Sequence, residues 1–358
     1  MGALPAARAV IRRHRRGLPA RLQALPVLVL FPHSRCNCRC VMCDIWRANR
    51  DQRELSVAEL EPHLDGLRRL GVRWVVLSGG EPLMHSNLWR LCELLVALDV
   101  QVSLLSTGLL LERHASEIVR WCDEVIVSLD GPREIHDRIR RVPSAFDRLA
   151  TGVAALRAAA PGFPVSGRCV LQKINFRALP EIIRTARDIG LDRISFLAAD
   201  TSSTAFNRPA GWDESRVAGV ALSREEVAEF KQVVAATTRE FSGEFDRGSV
   251  AESPSRLRAL VRYFAALNGD ADFPANRCNA PWVSAVVEAD GTVRPCFFHR
   301  AYGSLHRAPL DEVLNSDAAV GFRRGLDVAA DPICRRCVCT LWLEPKRPIA
   351  PRRARTSR

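Results

Sequence analysis

The sequence predicts an α/β fold: a parallel sheet of six strands, followed by a small cysteine-rich extension. Two observations predict the sheet. Six apolar, β-rich runs, at 26–32, 73–78, 100–106, 124–129, 165–172 and 193–198, alternate with stretches of helical spacing. That alternation supplies the crossover helices which parallel neighbours need. A third observation predicts the extension: from residue 278 the pattern changes to a short hairpin and closely spaced cysteines.

In chain order, residues 1–24 form a basic segment that includes "RAVIRRHRRGLPAR" (Arg8 to Arg21). A core of 25–200 follows. Its first run, "LPVLVLF" (Leu25 to Phe31), suits a buried strand, because no small-residue cleavage site follows it as in a secretory signal. Ser56 to Leu70 reads as a helix opened by Ser56 and Glu59 in capping-box spacing. Asn87 to Leu98 and Ala145 to Ala159 also have helical spacing, and Leu179 to Gly190 stops at a glycine, as helices often do. Six strands fit an open sheet or a partial barrel, and both gather ligands at the carboxyl ends of the strands. Residues 201–275 read as a helical connection: a loop over 201–222, then a helix from Ser223 to Phe241 with a second capping box. Residues 276–344 form the extension, whose hairpin "VSAVVEADGTVRPC" turns at Asp290-Gly291. Residues 345–358 read as a basic disordered tail.

With 358 residues, 47% of them hydrophobic, the chain can bury one large core and one smaller one. No window approaches the ~20 apolar residues of a membrane helix, so a cytoplasmic protein is expected. Twelve cysteines in an unsecreted chain are not expected to form disulfides. Cys92, Cys122 and Cys169 stand alone and read as core packing; the others cluster. The formal charge of +12 is concentrated at the two ends. Those ends allow contact with a membrane surface, a reading not favoured. Nucleic acid is not expected either, since neither end carries interleaved aromatics or a known module.

The densest cluster is "CNCRCVMC", directly after the first strand. Cys36, Cys40 and Cys43 are spaced C-x3-C-x2-C. Three thiolates at this spacing can hold three irons of a [4Fe-4S] cluster and leave a fourth iron open. Zinc is the alternative, with a fourth ligand from Cys38 or His33. Cys38 fits no slot in the triad and is expected to point away from it.

The cysteine loop, "SGGEP" (Ser78 to Pro82) after the second strand and "SLDGPREIHDRIR" (Ser128 to Arg140) after the fourth together resemble the radical S-adenosylmethionine (SAM) enzymes. The resemblance spans about residues 26–198 and implies a partial (β/α)6 barrel. It implies that the amino and carboxylate groups of SAM hold the open iron. It also implies that cleavage of SAM by an electron from the reduced cluster yields a 5'-deoxyadenosyl radical that removes hydrogen from a substrate C–H bond. Gly79, Gly80 and Glu81 match the segment at the methionine amino group: the glycines admit close backbone approach, and Glu81 could accept from an ammonium. Ser128 matches a SAM-contacting position. Ser106, Arg168 and Asn175 are weaker candidates, equally readable as local hydrogen-bonders. An external electron donor such as flavodoxin or ferredoxin is implied.

Cys278, Cys296, Cys334 and Cys337 give G-x4-C (from Gly291) and C-x2-C, and resemble the SPASM/twitch extension. One auxiliary [4Fe-4S] cluster is the natural count, with Cys339 either a spare or a replacement for Cys337; a zinc ribbon is the alternative. Asp130, Glu134 and His136 are expected to face the barrel mouth and orient a hydroxylated substrate, the alternative being a solvated turn. The nearest resemblance is to 2-deoxy-scyllo-inosamine dehydrogenase and similar diol dehydrogenases. It implies oxidation of a sugar, polyol or aminocyclitol hydroxyl, with the auxiliary cluster accepting an electron. Peptide maturation is the alternative, weakened because only ~25 residues precede the first strand, too few for a folded recognition domain. A small molecule is therefore expected before a peptide. A redox-neutral sugar dehydratase or epimerase and, more distantly, a non-enzymatic metal-binding protein complete the alternatives.

Overall fold

The computed structural model describes residues 18–344. The expected disordered tail at 345–358 and most of the basic N-terminal segment lie outside the described residues.

Six strands follow the expected runs closely: β1 (Val27–His33), β2 (Trp74–Gly79), β3 (Gln101–Ser106), β4 (Glu124–Ser128), β5 (Val165–Leu171) and β6 (Arg193–Ala198). They lie side by side in sequence order, every pair parallel. Their apolar residues are buried on the outer face beneath the crossover helices. Leu28, Leu30, Val75, Leu77, Val102, Leu104, Val125 and Val127 belong to one continuous core. Between them, half-buried residues such as Phe31, Ser128 and Arg168 take the inner face. The result is a partial barrel.

The hairpin turns at Asp290-Gly291 as expected, Gly291 taking a left-handed φ of 76°. Its strands are β7 (Ser284–Val287) and β8 (Thr292–Arg294), with β9 (Gly303–Ser304) beyond. Sequence reading did not place this hairpin. β7 pairs in parallel with β1, Val27 opposite Ser284 and Leu30 opposite Val287, so the nine strands among the described residues form one sheet. The extension is thereby fixed beside the strand that launches the first cysteine loop.

Several helices differ from expectation. Ser56 to Leu70 is not one helix. The Ser56/Glu59 capping box is present, but Val57–Leu60 gives way to a 3-10 turn at Glu61–His63 before Leu64–Arg69. Pro62 lacks the N–H that an unbroken helix needs. The segment expected to face the barrel mouth, with a solvated turn as the alternative, is a helix, Arg133–Arg140. Leu111–Trp121 and Pro254–Leu267 were not anticipated, nor was the short helix Glu214–Ala218 within the expected 201–222 loop. Pro254–Leu267 packs on Arg224–Glu240 through Phe264 and Phe230, whose ring centroids lie 6.1 Å apart. Cys92, Cys122 and Cys169 are buried core residues. Among the described residues, no helix is long and apolar enough to cross a membrane.

Ser223 caps Arg224–Glu240 by accepting from the Glu226 amide, and the Glu226 side chain accepts from the Ser223 amide. Ser223→Ala should lower stability by about 1 kcal/mol. Urea unfolding followed by circular dichroism reads this, and an unchanged midpoint would mean that the cap contributes nothing.

Candidate active site

Past β1 the chain leaves the sheet, and the amides of the cysteine loop lose their strand partners. Five hydrogen bonds hold the loop instead. The Cys36 amide donates to Asn49 Oδ1 at 2.9 Å, and Asn49 Nδ2 donates back to the Cys36 carbonyl at 2.9 Å. The amides of Arg39 and Val41 donate to the carbonyls of Arg140 and Ile139 at 3.1 and 3.0 Å. The Glu81 amide donates to the Arg35 carbonyl at 2.8 Å. Gly79 and Gly80 make that last contact available. Gly79 has a φ of 104°, and a Cβ on Gly80 would overlap the Arg35 carbonyl oxygen.

Glu81 has a structural task. Its carboxylate is fully buried and accepts from Leu83 N, Ser106 Oγ, Thr107 N and Thr107 Oγ1. Burial pushes its pKa up, while these donors pull the other way. The carboxylate braces the turns after β2 and β3. Ser106 is committed to the same brace.

Cys38 does not point away. It is buried, and its thiol is within hydrogen-bonding reach of both Cys36 and Cys40. The chain bends at Asn37 within an irregular loop, so spacing along the sequence does not decide where Cys38 points. The Cys40 thiol is lowered to about 7, first by the hydrogen bond with Cys38, then by Arg140, against desolvation. Burial pushes the Cys43 thiol up.

Asp130 and His136 do not face the mouth either. Both are fully buried behind the cysteine loop. Asp130 Oδ1 accepts from the Val170 amide at 3.0 Å, and its carbonyl accepts from Asn175 Nδ2 at 2.9 Å. The Asp130 amide donates to His136 Nδ1 at 3.2 Å. Its carboxylate is paired with Arg140 at 2.6 Å, and Arg140 Nη1 lies 3.5 Å from Cys40 Sγ. His136 and Arg140, four apart on one helix, turn inward together. Glu134, in the first turn of that helix, is exposed. Asn175 is likewise a structural hydrogen-bonder. Ser128, on the inner face of β4, stands opposite Arg168 on β5, whose Nε reaches Ser195 Oγ at 3.4 Å.

Sequence reading missed the segment 200–216, which offers no periodicity. Asp200 pairs with buried Arg208 at 2.7 Å. The Arg208 guanidinium lies over the Trp212 and Phe206 rings, 4.3 and 5.0 Å from their centroids. Trp212 Nε1 and Arg216 Nη2 each donate to the Asp44 carboxylate at 2.6 Å, which ties the segment to the end of the cysteine loop. Phe206 packs edge-on against Phe297 at 4.8 Å, and Phe297 against Phe31 at 5.3 Å. These rings and Phe298 line a cavity of about 810 Å3 that also touches Gly79, Gly80, Arg53 and Arg300.

In the extension, Cys278, Cys296, Cys334 and Cys337 are half-buried and Cys339 is exposed. Asn276 Nδ2 donates to the carbonyls of Cys334 and Cys337 at 2.7 and 3.0 Å. His299 Nε2 lies 3.3 Å from Cys334 Sγ. Burial pushes Cys296 up to about 11, and the neighbouring thiols Cys278 and Cys339 add to it. Among the described residues, the one set of His, Cys, Asp or Glu that brings three ligand atoms within 4.8 Å of one another is His299, Asp331 and Cys334. The four cysteines are thus spread more widely than the roughly 4 Å sulfur spacing around one tetrahedral zinc. A thiolate-rich set of wider spread fits a cluster better than a single ion.

Residues 30–186 match the model of the radical SAM superfamily, and residues 278–338 match that of the SPASM iron-sulfur cluster-binding domain. The chain is a radical SAM enzyme with a SPASM extension. Its cofactors are SAM, a SAM-coordinating [4Fe-4S] cluster and an auxiliary [4Fe-4S] cluster. It is 27% identical over 336 residues to Fe-coproporphyrin III synthase of Methanosarcina barkeri, covering 89% of this chain and 81% of that one. It is 27% identical over 316 residues to PqqA peptide cyclase of Ruegeria pomeroyi, covering 85% and 77%. Among solved structures, Streptococcus suis SuiB bound to SAM has a TM-score of 0.61 at 15% identity, covering 92% of this chain and 75% of that one. The enzyme anSMEcpe with SAM and the Cp18Cys peptide has a TM-score of 0.62 at 16% identity, covering 86% and 87%.

Two outcomes follow from the geometry. Gly80→Ala should prevent the cysteine loop from docking, so that anaerobic reconstitution delivers only the irons of the extension; full iron loading would contradict this. Burial lowers His136 to about 3 from 6.5. The unfolded chain then takes up a proton below about 6.5 that the folded chain refuses, so this group reduces stability as pH falls from 6.5 toward 3. The slope is up to about 1.4 kcal/mol per pH unit. His136→Gln should flatten it, and an unchanged acid profile in urea titrations would show that His136 is not the source.

Proposed function

We propose that this radical SAM enzyme modifies a ribosomally made peptide. The observation that carries the reading is the cavity beside Gly79 and Gly80. It is about 810 Å3 in volume, with Phe31, Phe206, Phe297 and Phe298 on its walls and Arg53 and Arg300 among its lining. The cavity joins four aromatic rings to cationic and carboxylate side chains, Asp51 and Glu288 among them. A peptide presents apolar side chains, carboxylates and backbone amides together. PqqA peptide cyclase, similar over most of this chain, is named for a peptide. The expected oxidation of a sugar, polyol or aminocyclitol has no comparable support and gives way to the maturase reading. The short stretch before β1 does not weigh against it. The peptide-bound anSMEcpe structure is matched over 87% of its length.

In this reading Cys36, Cys40 and Cys43 hold the first cluster, and Cys278, Cys296, Cys334 and Cys337 hold the auxiliary one, with Cys339 beside them. Bound together, the first cluster and SAM supply reductive cleavage of the sulfonium and a radical able to abstract hydrogen. The chain's own residues do the rest. Gly79 and Gly80 leave backbone open to the methionine amino group, and Ser128 offers a hydroxyl on the inner face of the barrel. The phenylalanine wall gives the site an apolar side. An electron donor such as flavodoxin or ferredoxin feeds the first cluster.

A second reading is modification of a tetrapyrrole. The same rings and arginines suit a flat macrocycle with carboxylate arms, and Fe-coproporphyrin III synthase is similar over 89% of this chain.

The test is 5'-deoxyadenosine formation by reduced, reconstituted protein with SAM. Three additions are compared: the host's peptide fraction below about 10 kDa, the same fraction after protease, and Fe-coproporphyrin III. A several-fold rise with the intact peptide fraction that protease abolishes is the expected result. A rise that survives protease overturns the peptide reading, and a rise with the porphyrin alone favours the second.

A further inference from the structure

The buried pair Asp130–Arg140 is not part of the substrate site, and its placement calls for another account. Arg140 is 6% exposed and Asp130 is fully buried. One end nitrogen of the guanidinium, Nη2, meets Asp130 Oδ2 at 2.6 Å; the other, Nη1, lies 3.5 Å from Cys40 Sγ. The remaining buried donor, Nε, has no protein partner. Asp130 is itself immobilised by Val170, Asn175 and His136. The carbonyls of Arg140 and Ile139 receive the amides of Arg39 and Val41, the residues on either side of Cys40. One helix end thus holds the backbone flanking Cys40 and aims a cation at its sulfur. The chain reverses at once, Arg141 taking a left-handed φ of 53°, so the helix stops at that contact.

A buried ion pair is by itself weak evidence for stability, since desolvation offsets much of its attraction. A guanidinium shared between a carboxylate and a thiolate has a clearer use. Reduction adds negative charge to a cluster, and a nearby fixed cation, poorly screened in a dry site, favours that state. Hydrogen bonds to ligand sulfur act in the same direction.

We propose that Arg140 is a positioning residue for the first cluster: tethered by Asp130, it fixes the Cys40 sulfur and raises the cluster's reduction potential. The proposal rests on Cys40 being a ligand. Cys40→Ala checks that separately: it should cost about four irons per chain, and full iron retention would remove the ligand reading itself.

The test is an EPR-monitored redox titration of the full-length, anaerobically reconstituted protein, following the signal that SAM perturbs. At the poise where the wild type is half reduced, Arg140→Met should lower the reduced-to-oxidised ratio about tenfold, equivalent to 59 mV for one electron. Arg140→Lys should recover most of that ratio. Asp130→Asn should shift it the opposite way, because it removes a negative charge and leaves the cation. A loss of packing alone would not produce shifts of opposite sign. An iron-replete Arg140→Met with the wild-type potential, or shifts of the same sign in Arg140→Met and Asp130→Asn, overturns the proposal. If Arg140→Met does not take up iron, Asp130→Asn decides: an upward shift supports the proposal, and an unchanged or lower potential overturns it.

Discussion

The structure depends on holding one irregular loop still. Residues 34–44 carry four cysteines and leave the sheet at the carboxyl end of β1, where backbone amides lose their ladder partners. Buried amides without partners are costly, so the neighbours supply them. The glycine turn after β2 meets Arg35, the helix Arg133–Arg140 meets Arg39 and Val41, and Asn49 meets Cys36. The carboxylate of Glu81 secures the glycine turn from below through Ser106 and Thr107. The signature turns of this fold thus serve first as scaffold for the thiols.

Charge follows the same logic. Asp130 and Asp200 each stand two residues past a strand end, β4 and β6, and each pairs with a buried arginine. Arg140 reaches the loop at Cys40. Arg208 is held over Trp212, which binds Asp44 at the loop's far end. Each pair is expensive to desolvate and loses several kcal/mol if one partner is removed. Their placement at the two ends of the loop points to a fixed electrostatic environment. The auxiliary hairpin is locked to the same frame, because β7 adds to β1 on the edge that launches the loop.

Much of this was legible in local patterns. The six barrel strands fall within a residue or two of their apolar runs, since a parallel strand buried among crossover helices must read as an apolar stretch. The cysteine spacing marked the loop. Local pattern also misled. Cys38 is a misfit in the triad spacing, yet the bend at Asn37 leaves it buried against Cys36 and Cys40. Asp130 and His136 looked like polar groups at a strand end. The helical spacing of His136 and Arg140, which turns that face inward, was present in the sequence but outweighed by the density of charge. The contact between Asp44 and Trp212 joins residues 168 apart and has no local signature. The pairing of β7 with β1 is equally non-local.

The central claim is that two separate thiol sets, one at the barrel mouth and one in the extension, each hold a cubane cluster. The direct measurement is iron, sulfide and zinc counting on anaerobically reconstituted protein. About eight irons per chain are expected. About four should remain after Cys36, Cys40 and Cys43 are replaced by Ala, about four after Cys278, Cys296, Cys334 and Cys337 are replaced, and all of them after Cys38→Ala. Zinc bound at the extension, or loss of the first cluster in Cys38→Ala, would contradict the account.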